Sequence, residues 1–288
     1  TGYTITASGG GAKNYSFSYN TGTLTVSPRA ITITPDAGQT KSYEESDPAY
    51  AYTITSGSLY GGDSLSGALS REAGANVGSY AITQGTLTSA NNPNYAITFD
   101  STPVYFTITA GTMTVTAQSY DGAYDGVAHT ITVTAPEGAP VTYSTDGESY
   151  SATNPAYTVY AANARTVYYK VERANYTTVT DSATVTIGKA PLTITAKAKT
   201  ITYGDAPTND GVTYTRLVNG ETSNVLTGEL SYAYSYEQYG NVGNAYTITP
   251  SGLTGDNYSI TFADGTLTVG ALPVTLSWSG TSFTYDRA

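Results

Sequence analysis

The chain has 288 residues, no cysteine and one histidine, and its 12 Lys and Arg against 22 Asp and Glu give a net charge of −10. The absence of cysteine excludes disulfide scaffolds, zinc fingers, iron–sulfur clusters and thiol nucleophiles. The negative field disfavours binding to nucleic acid or anionic lipid. With 52 threonines, 28 tyrosines and one methionine, the composition favours strands over helices, so we predict an ordered, nearly all-β protein. No apolar run approaches the ~20 residues that span a bilayer, which predicts no membrane insertion in this segment.

The chain opens with what we interpret as the second half of a repeated unit. Three of its residues precede matching residues by the same 243 positions: Tyr3 and Tyr246, Tyr15 and Tyr258, Leu24 and Leu267. A constant offset across three predicted strands, the second of them at residues 14–17, indicates a repeated fold. We therefore predict that residues 1–27 are the C-terminal half of a first-type domain.

Residues 28–110 are predicted to form a complete first-type domain. Its apolar residues alternate with Thr, Ser or Ala, as Tyr95, Ile97 and Phe99 do. A period of two sends one set of side chains inward and the other to water. Short strands at this spacing, separated by Gly, Asn, Asp and Pro, are typical of β-sandwiches.

A second type of domain is predicted at 111–189. It opens at Met113, carries Tyr124-Asp125-Gly126 and ends in an alternating strand. A complete first-type domain follows at 190–270. Residues 271–288 are predicted to be the opening strands of a further second-type domain. Three elements of that opening recur 161 positions later: Met113 and Val274, Val115 and Leu276, Tyr124-Asp125 and Tyr285-Asp286.

The joins between these domains are very short. Gly188-Lys189-Ala190-Pro191, for example, contains no flexible linker. We expect a tandem array of small Ig-like β-sandwich domains in a semi-rigid rod, of which this chain is a window. For the first-type domains a mixed β-grasp-like arrangement is the alternative.

The first-type domains resemble the MBG (mostly β, glycine-rich, YGX-type) domains of bacterial surface proteins, through Tyr203-Gly204-Asp205 and Gly265–Val269. The other full copy has Tyr43-Glu44-Glu45 at the first motif, so its turn is expected to differ. The second-type domain resembles the YDG domains that alternate with MBG domains, through Tyr124-Asp125-Gly126 and Asn175-Tyr176. This resemblance implies a stalk of a secreted, repetitive adhesin at the bacterial cell surface, without a catalytic site.

One short motif matches a catalytic sequence pattern. Gly62-Asp63-Ser64-Leu65 matches the nucleophile motif of a lipase and esterase family, in which a histidine held by an acid activates the serine. The single His129 lies in another domain with the wrong spacing for that family. We therefore predict that the protein is not an enzyme and has no catalytic residues.

No cofactor or bound metal is predicted either. Aspartates accumulate at turns, but no Asp-x-Asp-x-Asp series supplies the six to eight oxygens that calcium requires. Asp also forms turns without any metal. Calcium held between domains is the alternative left open. For Lys170 an isopeptide crosslink to an asparagine is likewise left open.

The candidate ligand-binding residues are four tyrosines in an insertion of the 190–270 domain: Tyr232, Tyr234, Tyr236 and Tyr239. The first three share one strand face, and an exposed row of rings could stack on sugars or on a protein. The competing interpretation is cross-strand packing within a longer hairpin.

Two classes of function follow. In the first, the domains are spacers that project a binding region from the cell, and their partners are neighbouring repeats of the same chain. In the second, a domain binds host glycans or mucus proteins. A third hypothesis is a surface filament in which residues 271–288 of one copy complete residues 1–27 of another by strand donation.

Overall fold

The computed structural model describes residues 2–280, 282, 284, 285 and 287. The chain divides into two compact units, residues 1–114 with 172–179, and residues 115–171 with 180–288. Nearly all regular structure is β-strand. Among the described residues the one helical element is the 3-10 turn Ser223–Val225.

The first unit contains nine strands. They are β1 (Gly2–Ile5), β2 (Gly22–Thr25), β3 (Arg29–Pro35), β4 (Thr40–Ser42), β5 (Tyr52–Ser56), β6 (Ser70–Arg71), β7 (Gly78–Thr83), β8 (Tyr95–Phe99) and β9 (Tyr105–Thr109). Strands β1 and β2 form an antiparallel hairpin. The other seven form two sheets with the orders β5-β3-β8 and β4-β9-β7-β6. Each sheet is mixed, because β3 is parallel to β8 and β4 is parallel to β9.

Both sheets contribute to one core. Ile33 of β3 packs in a buried cluster with Ile82 of β7 and with Phe106 and Ile108 of β9. These are the inward positions of the alternating pattern. Burial of each such side chain contributes about 1.5–3 kcal/mol. The alternation therefore places a shared core between two sheets, which is a β-sandwich.

The second unit contains thirteen strands. They are β10 (Thr116–Gln118), β11 (Tyr120–Ala123), β12 (Thr132–Thr134), β13 (Val141–Ser144), β14 (Arg165–Val171), β15 (Val179–Gly188), β16 (Ala190–Ala196), β17 (Lys199–Thr202), β18 (Val212–Thr215), β19 (Thr227–Tyr234), β20 (Gly243–Thr254), β21 (Tyr258–Ala263) and β22 (Gly265–Gly270). Its sheets have the orders β10-β12, β11-β15-β14-β13, β18-β16-β21 and β17-β22-β20-β19.

The last two sheets repeat the plan of the first unit strand for strand. Strand β16 is parallel to β21 as β3 is to β8, and β17 is parallel to β22 as β4 is to β9. Strands β11 and β15 form a third such parallel pair. The chain is thus all-β, a tandem of small Ig-like β-sandwiches, as predicted. The β-grasp alternative for the first-type domains is not adopted, because two sheets enclose the core of each.

The opening segment forms less structure than its sequence predicts. In the described residues 2–27, only β1, β2 and an isolated bridge between Ala12 and Tyr15 are present, so the predicted strand at 14–17 does not form. In the complete copies the corresponding strand pairs with the first strand of its own domain, and residues 1–27 contain no such strand. Tyr15 is accordingly 79% exposed, whereas its match Tyr258 is buried.

The predicted opening strands at 271–288 are likewise not formed among the described residues of that segment. Asp286, part of the repeated Tyr-Asp pair, lies outside the described residues. In the complete domain, β11 has β15 as its ladder partner, and the described residues of 271–288 contain no counterpart of β15. Trp278 is 88% exposed.

In the part of the chain that the structure describes, no helix has the length and hydropathy of a membrane span.

Candidate functional site

The tyrosine segment lies at β19 and the turn after it. Tyr232 and Tyr234 are half-buried and pack against the core cluster of their sandwich. Tyr236 is 2% exposed and meets the Tyr246 ring edge to face, with the centroids 5.1 Å apart. Burial raises the pKa of the Tyr232 hydroxyl. Tyr232 and Tyr234 share one face of β19, Tyr236 lies just beyond the end of that strand, and all three side chains turn toward the core.

The exposed row that sugar stacking requires is therefore not formed by Tyr232, Tyr234 and Tyr236. The hydroxyl of Tyr234 accepts a hydrogen bond from Asn209 Nδ2 at 2.7 Å, which fixes it inside the domain. Tyr239 alone of the four is exposed, at 69%, in a turn where its φ is 68°. Ligand binding at this segment remains a prediction, and Tyr239 is the one ring the surface offers to it.

Asp63 of the esterase motif and the single histidine, His129, both have structural partners. Asp63 Oδ2 accepts a hydrogen bond from the Tyr95 hydroxyl at 2.7 Å. His129 Nε2 lies 3.0 Å from Asp125 Oδ1, and its ring stacks on Tyr120 with the centroids 3.7 Å apart. The hydrogen bond from His129 is the main cause that lowers the pKa of Asp125. Histidine and aspartate here hold a turn together within one domain.

The turn aspartates bind backbone amides. Asp146 Oδ1 accepts from the Ser144 hydroxyl and from the amides of Glu148 and Ser149, which lowers its pKa to about 2. Within the described residues, no three acidic or histidine side chains gather in a group that could hold a metal ion. Lys170 Nζ lies 5.3 Å from the centroid of the Tyr150 ring, over its face.

A different cluster joins successive sandwiches of the second unit. The carboxylate of Glu221 accepts hydrogen bonds from the hydroxyls of both Tyr124 and Tyr258. The two rings meet edge to face with their centroids 5.7 Å apart. The hydrogen bond to Glu221, together with burial, raises the pKa of Tyr124 to about 12. Burial is the main cause that raises the pKa of Tyr258, and the hydrogen bond to Glu221 is the next.

Secondary structure positions both tyrosines. Tyr124 directly follows β11, and its amide donates to Gly188 O at the end of β15 at 2.8 Å. Tyr258 is the first residue of β21, in the next sandwich along the chain. The cluster therefore links the end of one sandwich to the start of the next.

Three further contacts surround this link. The Tyr160 amide donates to Asn257 Oδ1 at 3.0 Å, Asn219 Nδ2 donates to Gly126 O at 3.3 Å, and Lys189 Nζ donates to Gly255 O at 3.1 Å. Lys189 is the single residue between β15 and β16. Its Nζ also lies 5.2 Å from the centroid of the Tyr160 ring.

The first unit contains a related contact at its segment 172–179. The rings of Tyr43 and Tyr176 meet edge to face at 5.3 Å. The Val77 amide donates to Asn175 Oδ1 at 2.9 Å, and Asn175 Nδ2 donates to Asn76 Oδ1 at 2.9 Å. A hydrogen bond to Glu44 raises the pKa of Tyr176.

Tyr43 occupies the same place in the sandwich of residues 28–110 that Tyr124 occupies in the sandwich of residues 111–189. Its amide donates to Thr109 O at the end of β9 at 2.9 Å. Both contacts thus pair the tyrosine of a Tyr-x-acid or Tyr-Asp-Gly turn with the tyrosine of an Asn-Tyr pair. The sequence shows that both motifs recur, but it marks them only as a turn and a strand entry. The recurrence of the two motifs from domain to domain is the one sequence signal that they share a role.

One family model matches two parts of the chain. The family model described as MBG domain (YGX type) matches residues 31–104 and 192–268. No curated protein is significantly similar to the chain.

Three solved structures are similar to the chain at low sequence identity. The fibronectin(III)-like modules of Clostridium thermocellum CbhA are 14% identical, with 58% of this chain and 100% of that chain covered and a TM-score of 0.21. The titin I-band fragment I67-I69 is 10% identical, with 84% and 98% covered and a TM-score of 0.28. Three N-terminal domains of the bacteriophage RB49 Hoc protein are 13% identical, with 95% of each chain covered and a TM-score of 0.24.

Proposed function

Because the chain belongs to the family of MBG domains of the YGX type, we propose that it is a non-enzymatic spacer in a repetitive extracellular protein. In this role the domains form the stalk of an adhesin and hold a binding region away from the bacterial cell surface. Their partners are the neighbouring domains of the same chain. Length and stiffness, rather than chemistry at a pocket, are what the domains supply.

The observation that carries this proposal is the direct join between sandwiches in the second unit. One residue, Lys189, separates β15 from β16, and the Tyr124–Glu221–Tyr258 cluster bridges the two sandwiches beside it. An edge-to-face aromatic pair contributes about 0.5–1.5 kcal/mol beyond its burial. A hydrogen bond to a charged group contributes about 1.5–3 kcal/mol. Bending at this join breaks these contacts, so the join favours one orientation of the two sandwiches.

Small-angle X-ray scattering on the full chain tests the proposal. A variant with Gly-Ser-Gly-Ser inserted after Lys189 is expected to give a broader distribution of interatomic distances than the unmodified chain. The matched control carries the same insertion after Gly138, in the exposed turn between β12 and β13, and is expected to leave the distribution unchanged.

Two results would contradict the spacer role. One is a distribution for the unmodified chain that is already as broad as that of the Lys189 insertion variant. The other is saturable binding of the full chain to a glycan array, which would make the chain a binding module.

A further inference from the structure

The sandwich of residues 28–110 carries its own copy of the tyrosine–carboxylate arrangement. Tyr95 begins β8 as Tyr258 begins β21, and both rings are buried. The hydroxyl of Tyr95 accepts from the Tyr60 amide at 3.0 Å, just as that of Tyr258 accepts from the Val218 amide at 3.1 Å. Tyr95 donates to Asp63 in the same way as Tyr258 donates to Glu221.

The two copies differ in what lies next to the carboxylate. Glu221 receives a second tyrosine, Tyr124, on its other oxygen. Beside Asp63 there is instead a cavity of about 390 Å³, lined among others by Tyr3, Tyr60, Asn94 and Tyr95. Among the described residues, no second tyrosine hydroxyl donates to Asp63.

We propose that this cavity, the Asp63 site, is the docking site for the Tyr-x-acid turn of an adjoining domain. The incoming tyrosine donates its hydroxyl to Asp63 and meets the Tyr95 ring edge to face. Asn94 accepts a backbone amide of the same neighbour, as Asn175 and Asn257 do in the two contacts that are formed. The inference deepens the proposed spacer role, on which it rests, by naming the residues through which one domain recognises the next.

The chain itself carries the matching half of such a contact. Tyr203 is placed in its sandwich as Tyr43 and Tyr124 are in theirs, because its amide donates to Gly270 O at the end of β22 at 2.8 Å. The Tyr203 side chain is 40% exposed. Val242, the counterpart of Val77 in an Asn-Val-Gly segment, is exposed as well. The occupant we assign to the Asp63 site is therefore a turn of the Tyr203-Gly204-Asp205 kind in a complete first-type domain.

The constant offset of the repeat provides the test. Because Tyr3 matches Tyr246, placing residues 190–245 directly before Tyr3 completes a first-type domain ahead of residue 28. Hydrogen–deuterium exchange is then measured on this extended chain and on the original one. Amides at Tyr60 and Asp63 are expected to exchange at least tenfold more slowly in the extended chain.

Two substitutions in the added copy separate docking from unspecific shielding. Changing the added copy of Tyr203 to Ser is expected to abolish the protection. The same change at the added copy of Tyr239, which is also exposed, is the control and is expected to preserve it. In the 28–110 domain, Asp63→Asn is expected to reduce the protection and Asp63→Glu, which mimics Glu221, to retain it.

Protection that is absent, or that survives the change at the Tyr203 copy, would overturn the docking proposal. Slow exchange at the amides of the added domain itself shows that this domain has folded in each variant. The result is independent of the scattering experiment at Lys189. A flexible join there contradicts the spacer role, whereas fast exchange at Tyr60 and Asp63 contradicts only the docking site.

Discussion

The rings of Tyr124 and Tyr258 meet edge to face with their centroids 5.7 Å apart, and both hydroxyls donate to the single carboxylate of Glu221. The two tyrosines come from different sandwiches and lie 134 positions apart in the sequence. One acid thus satisfies two buried hydroxyls that would otherwise each need a partner of their own.

Tyr124→Phe tests the contribution of this bridge. The substitution keeps the ring and removes one hydrogen bond to a carboxylate, so the free energy of unfolding is expected to fall by about 1–2 kcal/mol. Chemical denaturation measures the change. Tyr239→Phe, at an exposed position, is the control and is expected to stay within about 0.5 kcal/mol of the parent. Equal effects of the two changes would show that the bridge contributes nothing.

The same tyrosine predicts a loss of stability in alkali. Its folded pKa of about 12 lies above the ordinary value of 10, so the folded state holds the proton more tightly. That contribution is complete below pH 10 and is lost as the pH rises through 12. Unfolding measured between pH 8 and pH 12 is expected to be less pH-dependent for Tyr124→Phe than for the parent. Parallel curves would refute the assignment.

Asp47 predicts a loss of stability in acid. It accepts hydrogen bonds from Arg71 Nε at 2.8 Å and from Tyr50, and pairs with Lys41 Nζ at 2.7 Å. These partners, Arg71 first, hold the pKa of Asp47 well below its ordinary value. The contribution is present above about pH 4 and is lost as the pH falls below it.

Asp47→Asn is accordingly expected to lower the free energy of unfolding at pH 7 by about 1 kcal/mol, a value discounted for the partial exposure of the side chain. The difference from the parent should shrink as the pH falls below 3, which thermal unfolding at several pH values measures. Asp181→Asn, at an exposed position of β15, is the control. A difference that stays constant with pH would contradict the role of the charge.

Tyr236 predicts a stabilising substitution. Its hydroxyl is buried and has no hydrogen-bond partner in the described part of the chain. Tyr236→Phe removes that unsatisfied group and keeps the packing on Tyr246, so the free energy of unfolding is expected to rise by about 1 kcal/mol. Tyr236→Ala, in contrast, is expected to lower it by about 3–5 kcal/mol by opening a cavity. Denaturant titration of both variants checks the two signs, and a destabilised Phe variant would disprove the first.

Alternation in the sequence predicts the strands and their inward faces well. Ile31 and Ile33 of β3 and Phe106 and Ile108 of β9 are buried as a period of two requires. Alternation alone could not tell which way a face of tyrosines points, since tyrosine suits both a core and a surface. Tyr232, Tyr234 and Tyr236 are therefore compatible both with a binding row and with packing in the hairpin, and the structure contains the packed arrangement.

The contacts between sandwiches were beyond prediction for a different reason. Asn257 binds the amide of Tyr160, 97 positions away, and no local pattern specifies a partner at that distance. The strand predicted at residues 14–17 does not form for a related reason. Its alternation is that of a strand, but the described residues 2–27 contain no strand that pairs with it. Pairing is a property of the domain and not of the segment.

The parallel pairing of early and late strands has a mechanical consequence. In each complete sandwich an early strand lies parallel to a late one, β4 to β9, β11 to β15 and β17 to β22. Tension applied along the chain pulls the two strands of such a pair in opposite directions along their common axis. The ladder is then loaded in shear, so its hydrogen bonds share the force and must yield together. A domain pulled through its termini in this geometry resists extension through its whole ladder at once.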